Sequence, residues 1–364
     1  MTLERYIKDY LGRVAQLEKT EVNYRDGCLM TAAEYLYDVT GDAFYRDVIL
    51  QFGGRHVSSD GAVPGFDTEE HNVDKLRFGT ALCYLYRETG EERYKRAIDM
   101  FMDTLRRHPR TADGSFWHKN IYPYQVWLDG LYMAMPFYLL YENTCGTREN
   151  YADVMGEFRH VRHTIFNKDK GLYHHAWDEK KVQIWADPKT GLSPNFWLRA
   201  MGWTLMALVD CYEIMHAEAA EDRRFLQEML QETLDGLLPY RDPSTGLFYQ
   251  LVDLPDVAGN YLETSGSIMV AYALLKGTRL GMLTEPTYPQ MAEDMLCSIQ
   301  ANMLPWKDGR LTLENICGAA GLGPKDERDG SVAYYLSEPK VADSPLGAAT
   351  LMMAYAEWQR QKRD

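Results

Sequence analysis

A glycine-centred turn leading into a short extended run returns five times along this chain, and no other feature limits its fold as tightly. The turns are Asp60-Gly61, Asp113-Gly114-Ser115-Phe116-Trp117-His118, Lys170-Gly171-Leu172-Tyr173-His174-His175, Thr245-Gly246-Leu247-Phe248-Tyr249-Gln250 and Asp308-Gly309-Arg310-Leu311, with glycines stepping by 53, 57, 75 and 63 residues. Periods of this length hold two helices of ordinary size and point to a helical array. A helix corner recurs between the turns: Leu36-Tyr37-x-x-Thr40-Gly41 with Tyr45, Leu85-Tyr86-x-x-Thr89-Gly90 with Tyr94, and Leu140-Tyr141-x-x-Thr144-Cys145-Gly146 with Tyr151. In each, Leu-Tyr closes one apolar helix face, the glycine is expected in the left-handed conformation that ends the helix, and the later tyrosine opens the next face. Five turns and an N-terminal pair give six helical hairpins, so the expected fold is all-α, an (α/α)6 barrel with short extended turns at its mouth. Closing the ring leaves no unprotected end repeat.

The 364 residues are 46% hydrophobic and 25% charged, enough for a large core, and no Pro/Gly/Ser-rich linker divides them. We therefore expect one catalytic domain over residues 1–364. A formal net charge of −14 argues against nucleic acid, which needs clustered cations. The first ten residues carry charges throughout, with no apolar signal core, and no later window is long and apolar enough to span a bilayer. The six cysteines are scattered without a Cys-x-x-Cys pair, which fits free thiols and a cytoplasmic location. His160-x-x-His163 lacks a third ligand at metal-site spacing, and no phosphate loop, nucleophile elbow or dinucleotide fingerprint occurs, so neither a metal nor a cofactor is expected.

Polar and aromatic outliers gather at one place in each repeat, the start of the helix after the turn: Tyr24, Asp74, Asp129, the Trp197/Arg199/Trp203 group and Glu263. If those helices form the inner ring and run the same way, their N-termini line one mouth. His118, His175 and Gln250 each lie four positions after their turn glycine. Asp129 heads the apolar segment Val126-Trp127-Leu128-Asp129-Gly130-Leu131-Tyr132-Met133-Ala134-Met135-Pro136-Phe137, where two roles are open to it. It caps the helix by accepting backbone N–H groups, or it serves as an acid/base group in an aromatic pocket.

Five segments together resemble glycoside hydrolase family 105: Trp127-Leu128-Asp129-Gly130-Leu131-Tyr132-Met133-Ala134, Gly171-Leu172-Tyr173-His174-His175-Ala176-Trp177-Asp178, Trp197-Leu198-Arg199-Ala200-Met201-Gly202-Trp203, Gly259-Asn260-Tyr261-Leu262-Glu263-Thr264-Ser265-Gly266-Ser267 and Arg328-Asp329-Gly330-Ser331-Val332-Ala333-Tyr334-Tyr335. The resemblance runs from about Tyr24 to the last helix. It implies an unsaturated rhamnogalacturonyl or glucuronyl hydrolase, acting on oligosaccharides that lyases leave with a C4=C5 unsaturated uronic acid at the non-reducing end. Rather than ordinary two-carboxylate glycosidase chemistry, the implied reaction hydrates the double bond. An acid protonates C4, water adds at C5, and the hemiketal opens.

By the same resemblance Asp129 is the catalytic acid/base and Asp74 a second pocket carboxylate, placed to hold sugar hydroxyls and to bias its neighbour toward the protonated form by repulsion. Lys75 and Arg77 would oppose that effect if they face the same way. His175 and Arg199 match sugar-contacting positions, Arg199 suiting the uronate carboxylate with its forked donors. Trp197, Trp203 and Tyr24 would pack on sugar faces. The implied partner is a small unsaturated oligosaccharide, for a monomer or homodimer, with aglycone choice left to mouth loops at 112–122, 183–195 and 324–338. Two alternatives stand beside it: a sugar epimerase using His118 and His175 as a pair, and a non-catalytic sugar-binding toroid.

Overall fold

The computed structural model describes residues 2–19, 21–323 and 328–363. In chain order its helices are α1 (Thr2–Gln16), α2 (Tyr24–Thr40), α3 (Ala43–Val48), α4 (Gly79–Thr89), α5 (Glu92–Arg106), α6 (Asp129–Thr144), α7 (Tyr151–Thr164), α8 (Leu198–Ile214), α9 (Ala220–Leu237), α10 (Thr264–Arg279), α11 (Tyr288–Asn302), α12 (Val332–Ser337) and α13 (Pro345–Gln361). A 3-10 segment, Val73–Phe78, leads into α4.

Residue pattern decides which helix goes where. In α8 every residue from Leu198 to Cys211 is buried, the signature of a helix enclosed on all sides. In α5 the buried set is Tyr94, Ala97, Ile98, Phe101, Met102, Thr104 and Leu105, one stripe at helical spacing, as a helix with one wet face requires. The enclosed helices α2, α4, α6, α8, α10 and α13 pack each against the next, and α13 returns to α2, closing an inner ring. The result is the six-hairpin toroid expected from the turns. Five outer partners follow their inner helix directly, whereas among the described residues α1 packs beside α13. The sixth pair is thus built from segments at opposite ends of the chain.

The turn glycines behave as the repeat requires. Gly61, Gly114, Gly171, Gly246 and Gly309 have φ of 93°, 96°, 68°, 75° and 78°, where a side chain would be strained. Gly41 and Gly90 end α2 and α4 in the left-handed conformation, with φ of 69° and 68°. The third corner departs from the expectation. There Cys145 closes α6 at φ −130°, and the N–H of Gly146 folds back onto Tyr141 O at 3.0 Å without left-handed backbone.

Short antiparallel ladders join the segments between helices: β1 (Gln125–Trp127) with β4 (Ala176–Asp178), β2 (Phe166–Asn167) with β3 (Leu172–Tyr173), β5 (Trp306–Lys307) with β6 (Arg310–Leu311), and β7 (Ile316–Cys317) with β8 (Lys340–Val341). No helix among the described residues is long and apolar enough to cross a membrane.

Close approach of α2 to the 3-10 segment depends on Gly27, because a Cβ there would stand 2.6 Å from the carbonyl oxygen of Arg77. Gly to Ala inside a helix ordinarily gains about 1 kcal/mol, but this contact reverses the sign. We expect Gly27→Ala to lose about 1–3 kcal/mol in denaturant unfolding, and a stabilised variant would show that the two segments can part without cost.

Candidate active site

A cavity opens where the inner helices begin. Tyr24 and Asp129 are the first residues of α2 and α6, Arg199 is the second of α8, Leu346 the second of α13, and Asp74 lies in the 3-10 segment; all five line it. Trp127, Trp197 and Trp203 complete the inner wall, and Lys119, Tyr122 and Arg328 come from loops. The cavity therefore gathers Tyr24, Asp74, Asp129, Trp197, Arg199 and Trp203, with His175 directly behind Asp129.

One backbone rule of the repeat arranges these groups. The N–H of Val73 donates to His118 O at 3.1 Å, that of Leu128 to His175 O at 3.1 Å, and that of Leu198 to Gln250 O at 3.0 Å. Each carbonyl belongs to the residue four places after a turn glycine, and each donor directly precedes Asp74, Asp129 or Arg199. This satisfies N–H groups that a helix start leaves open. It also sets the side chain of His118 beside Asp74 and that of His175 beside Asp129. The β1–β4 ladder, with Trp127 opposite Ala176, fixes the second pairing further.

Asp129 does not cap its helix. Leu128 before it is already helical, at φ −53° and ψ −38°, and among the described residues the Asp129 carboxylate accepts no backbone N–H. Its Oδ2 lies 3.4 Å from Nε2 of His175, close but not aligned as a hydrogen bond. Nδ1 of the fully buried His175 meets the hydroxyl of Tyr335 at 2.7 Å.

Asp74 is held differently. Its Oδ2 is 2.7 Å from Nζ of Lys119, and its Oδ1 is 3.5 Å from Nε2 of His118. Burial opposes its charge, yet the carboxyl is held below its ordinary value, chiefly by the Lys119 ammonium. Burial pushes His118 down to about 4, against the pull of Asp74, so the imidazole is neutral above that pH and the compensating charge is that of Lys119. The cations adjacent in sequence face elsewhere. Lys75 pairs with Glu70, and Arg77 turns into the core, donating to Tyr132 Oη at 2.8 Å.

The remaining candidates divide by exposure. Tyr24 is half-buried and lines the cavity, whereas Trp197 and Trp203 are 1% and 2% exposed. Trp203 stacks on Tyr132 with ring centres 5.0 Å apart, so one face is already covered. Arg199 is buried above the Trp197 ring and donates to Cys317 O at 2.5 Å. Glu263 is a cap: its carboxylate accepts from the N–H groups of Ser265, Gly266 and Cys317 at 3.2, 2.6 and 2.9 Å. Gln250 is also fully bonded, donating to Tyr335 O at 3.0 Å.

His118 and His175 do not face each other across open space. Trp127 lies against both, stacked on His118 at 4.5 Å and edge-on to His175 at 5.4 Å. Lys119, Tyr122 and Arg328 were not singled out from the sequence as site residues. Their loops have no helical period to place them, although Lys119 follows the repeat histidine and Arg328 opens a segment of the resemblance. In the third mouth loop residues 324–327 lie outside the described residues. Asn195 of the second loop braces the third by donating to Gly330 O at 2.7 Å.

A helical toroid whose mouth gathers two carboxylates, two histidines, two arginines and aromatic rings has the form of a carbohydrate hydrolase. Residues 3–362 match the Glycosyl Hydrolase Family 88, and the chain belongs to that family. A solved glycoside hydrolase from family 105 of C. acetobutylicum ATCC 824 superposes with a TM-score of 0.94 at 37% identity, covering 99% of this chain and 100% of that one. Protein Atu3128 of Agrobacterium fabrum is 38% identical over 231 residues, 62% of this chain and 97% of that protein. The unsaturated rhamnogalacturonyl hydrolase YesR of Bacillus subtilis is 28% identical over 218 residues, 57% of this chain and 59% of that protein.

Burial of His118 has a consequence for acid stability. Its folded value of about 4 lies below the ordinary value of about 6.5, so the unfolded chain binds the proton first and stability falls as pH drops through that window. Glu157, which burial pushes up to about 8, acts in the opposite sense, so variants rather than absolute slopes must be compared. We expect the loss of Tm between about pH 6.5 and about pH 4.5 to be smaller in His118→Asn than in wild type, and equal losses would remove His118 from the account.

Proposed function

We propose that this chain removes the C4=C5 unsaturated uronic acid from the non-reducing end of lyase-generated oligosaccharides, with an unsaturated rhamnogalacturonan disaccharide as substrate. The observation that carries the proposal is Asp129: a carboxylate at a helix start that accepts no capping bond, lines the cavity and has an imidazole behind it. A carboxylate with no structural duty is available to move a proton.

In this scheme Asp129 gives its proton to C4 of the enol ether, water adds to C5, and Asp129 takes a proton from that water. The hemiketal at C5 then opens and the aglycone leaves, so one water is consumed and the acid is regenerated. Arg199 binds the uronate carboxylate with its remaining donors. Asp74, kept ionised beside Lys119, accepts hydrogen bonds from sugar hydroxyls. Tyr24 offers a half-buried ring to the sugar, and Trp197 and Trp203 form the wall behind it. The name of the Bacillus relative supports the choice of rhamnogalacturonan products. The six unpaired cysteines support a cytoplasmic site of action, on imported disaccharides.

The test uses unsaturated disaccharides from a rhamnogalacturonan lyase digest, with absorbance of the conjugated double bond followed over time. Wild type is expected to remove the absorbance, and Asp129→Asn to do so at least about 100-fold more slowly, the usual scale for losing a general acid. Absorbance that persists with wild type sinks the substrate assignment, and full activity in Asp129→Asn sinks the role of that residue.

A further inference from the structure

Tyr335 sits on α12, outside the inner ring, yet its hydroxyl reaches the histidine behind the acid. It is fully buried, and among the described residues its hydroxyl has one hydrogen-bond partner, Nδ1 of His175 at 2.7 Å. The other nitrogen of that ring, Nε2, is 3.4 Å from Asp129 Oδ2. Tyrosine, histidine and aspartate therefore form a line that ends in the cavity.

We infer that Tyr335 is a positioning residue that fixes the tautomer of His175, donating its O–H to Nδ1 so that the ring proton sits on Nε2 and faces Asp129. A neutral imidazole carries one N–H and one acceptor nitrogen, and the bond made by one nitrogen decides the state of the other. With Nδ1 accepting from the phenol, Nε2–H meets the carboxylate that Asp129 becomes once it has given its proton away. The opposite tautomer would set the Nε2 lone pair against that carboxylate. Burial pushes the phenol far above its ordinary value, which keeps the O–H in place to donate.

The surroundings hold this arrangement. Gln250 donates to Tyr335 O at 3.0 Å, which pins the backbone of α12 at this residue. Trp197 packs on His175 with ring centres 4.7 Å apart and on Tyr335 at 6.1 Å, so neither ring is free to swing. Tyr334, its neighbour, donates to Glu338 at 2.7 Å and accepts from the N–H of Gly321 at 2.9 Å, tying the short helix to the cavity-lining loop. Gln250 stands at the repeat position held elsewhere by His118 and His175, and here that position serves the tyrosine.

The catalytic consequence rests on the hydration scheme above; the tautomer does not. The first measurement is a long-range 1H–15N spectrum of protein labelled at its nine histidines, with His175→Gln used to assign the ring. Wild type is expected to show Nε2 protonated and Nδ1 bare; a proton on Nδ1, alone or together with Nε2, overturns the inference. Tyr335→Phe, checked for native circular dichroism and Tm, is expected to lose the single tautomer. Its kcat on the unsaturated disaccharide is expected to fall about tenfold with KM within about twofold, the scale of losing a histidine's orienting partner. An unchanged tautomer or kcat in that variant also overturns it. If wild type leaves unsaturated uronides untouched, the hydration scheme fails, while the spectrum still decides the tautomer.

Discussion

A guanidinium almost without water, that of Arg77, ties together the segments from which the mouth is built. It is 1% exposed, lies over the Tyr132 ring at 3.9 Å, and donates to Tyr132 Oη at 2.8 Å and to Thr31 Oγ1 at 3.2 Å. It thereby joins its own 3-10 segment, which bears Asp74, to α2 and α6. A buried charge is costly unless its donors are engaged, so these contacts constrain one another. Pro136 adds a second reason for the guanidinium. Lacking an N–H, it cannot bond back to Tyr132 O one turn earlier, and Nη1 of Arg77 stands 3.5 Å from that carbonyl. Tyr132 in turn stacks on Trp203, so the same charge steadies the floor of the cavity.

Above that floor the two carboxylates live in different electrostatic settings. Asp74 has a lysine on one oxygen and a neutral histidine near the other, whereas Asp129 lies beside an imidazole whose far nitrogen is engaged by a phenol. Trp127 separates the two histidines, so each pair keeps its own neighbour. The two carboxylates thus differ in the charge set beside them, a cation for Asp74 and an imidazole for Asp129.

Much of this was legible in the sequence because a repeat writes the same physics several times. The turn glycines signal left-handed backbone, and their spacing gives the pairs of helices, so the ring and the clustering of Tyr24, Asp74, Asp129 and Arg199 at one mouth follow. What escaped depends on contacts between distant segments. Glu263 occupies the same helix-start position as Asp129, and only the fold shows that it caps while Asp129 does not. Lys75 and Arg77 sit nearest Asp74 along the chain, but the cation that meets it is Lys119, delivered by the next repeat. Gly146 looks like Gly41 and Gly90 in its motif, yet one extra residue before it lets the chain turn without left-handed backbone.

Closure of the ring through α13, α1 and α2 means that the cavity has no owner among the individual hairpins. Asp74 and Asp129 belong to early repeats, but Arg199 comes from the middle of the chain and the wall at Leu346 from α13. During synthesis the acids emerge long before the residues that enclose them, and loop-closure entropy is overcome only when segments separated by most of the chain meet. A chain cut before α13 would thus lack part of the cavity wall. The last inner helix therefore supplies both the contact that closes the ring and part of the cavity wall.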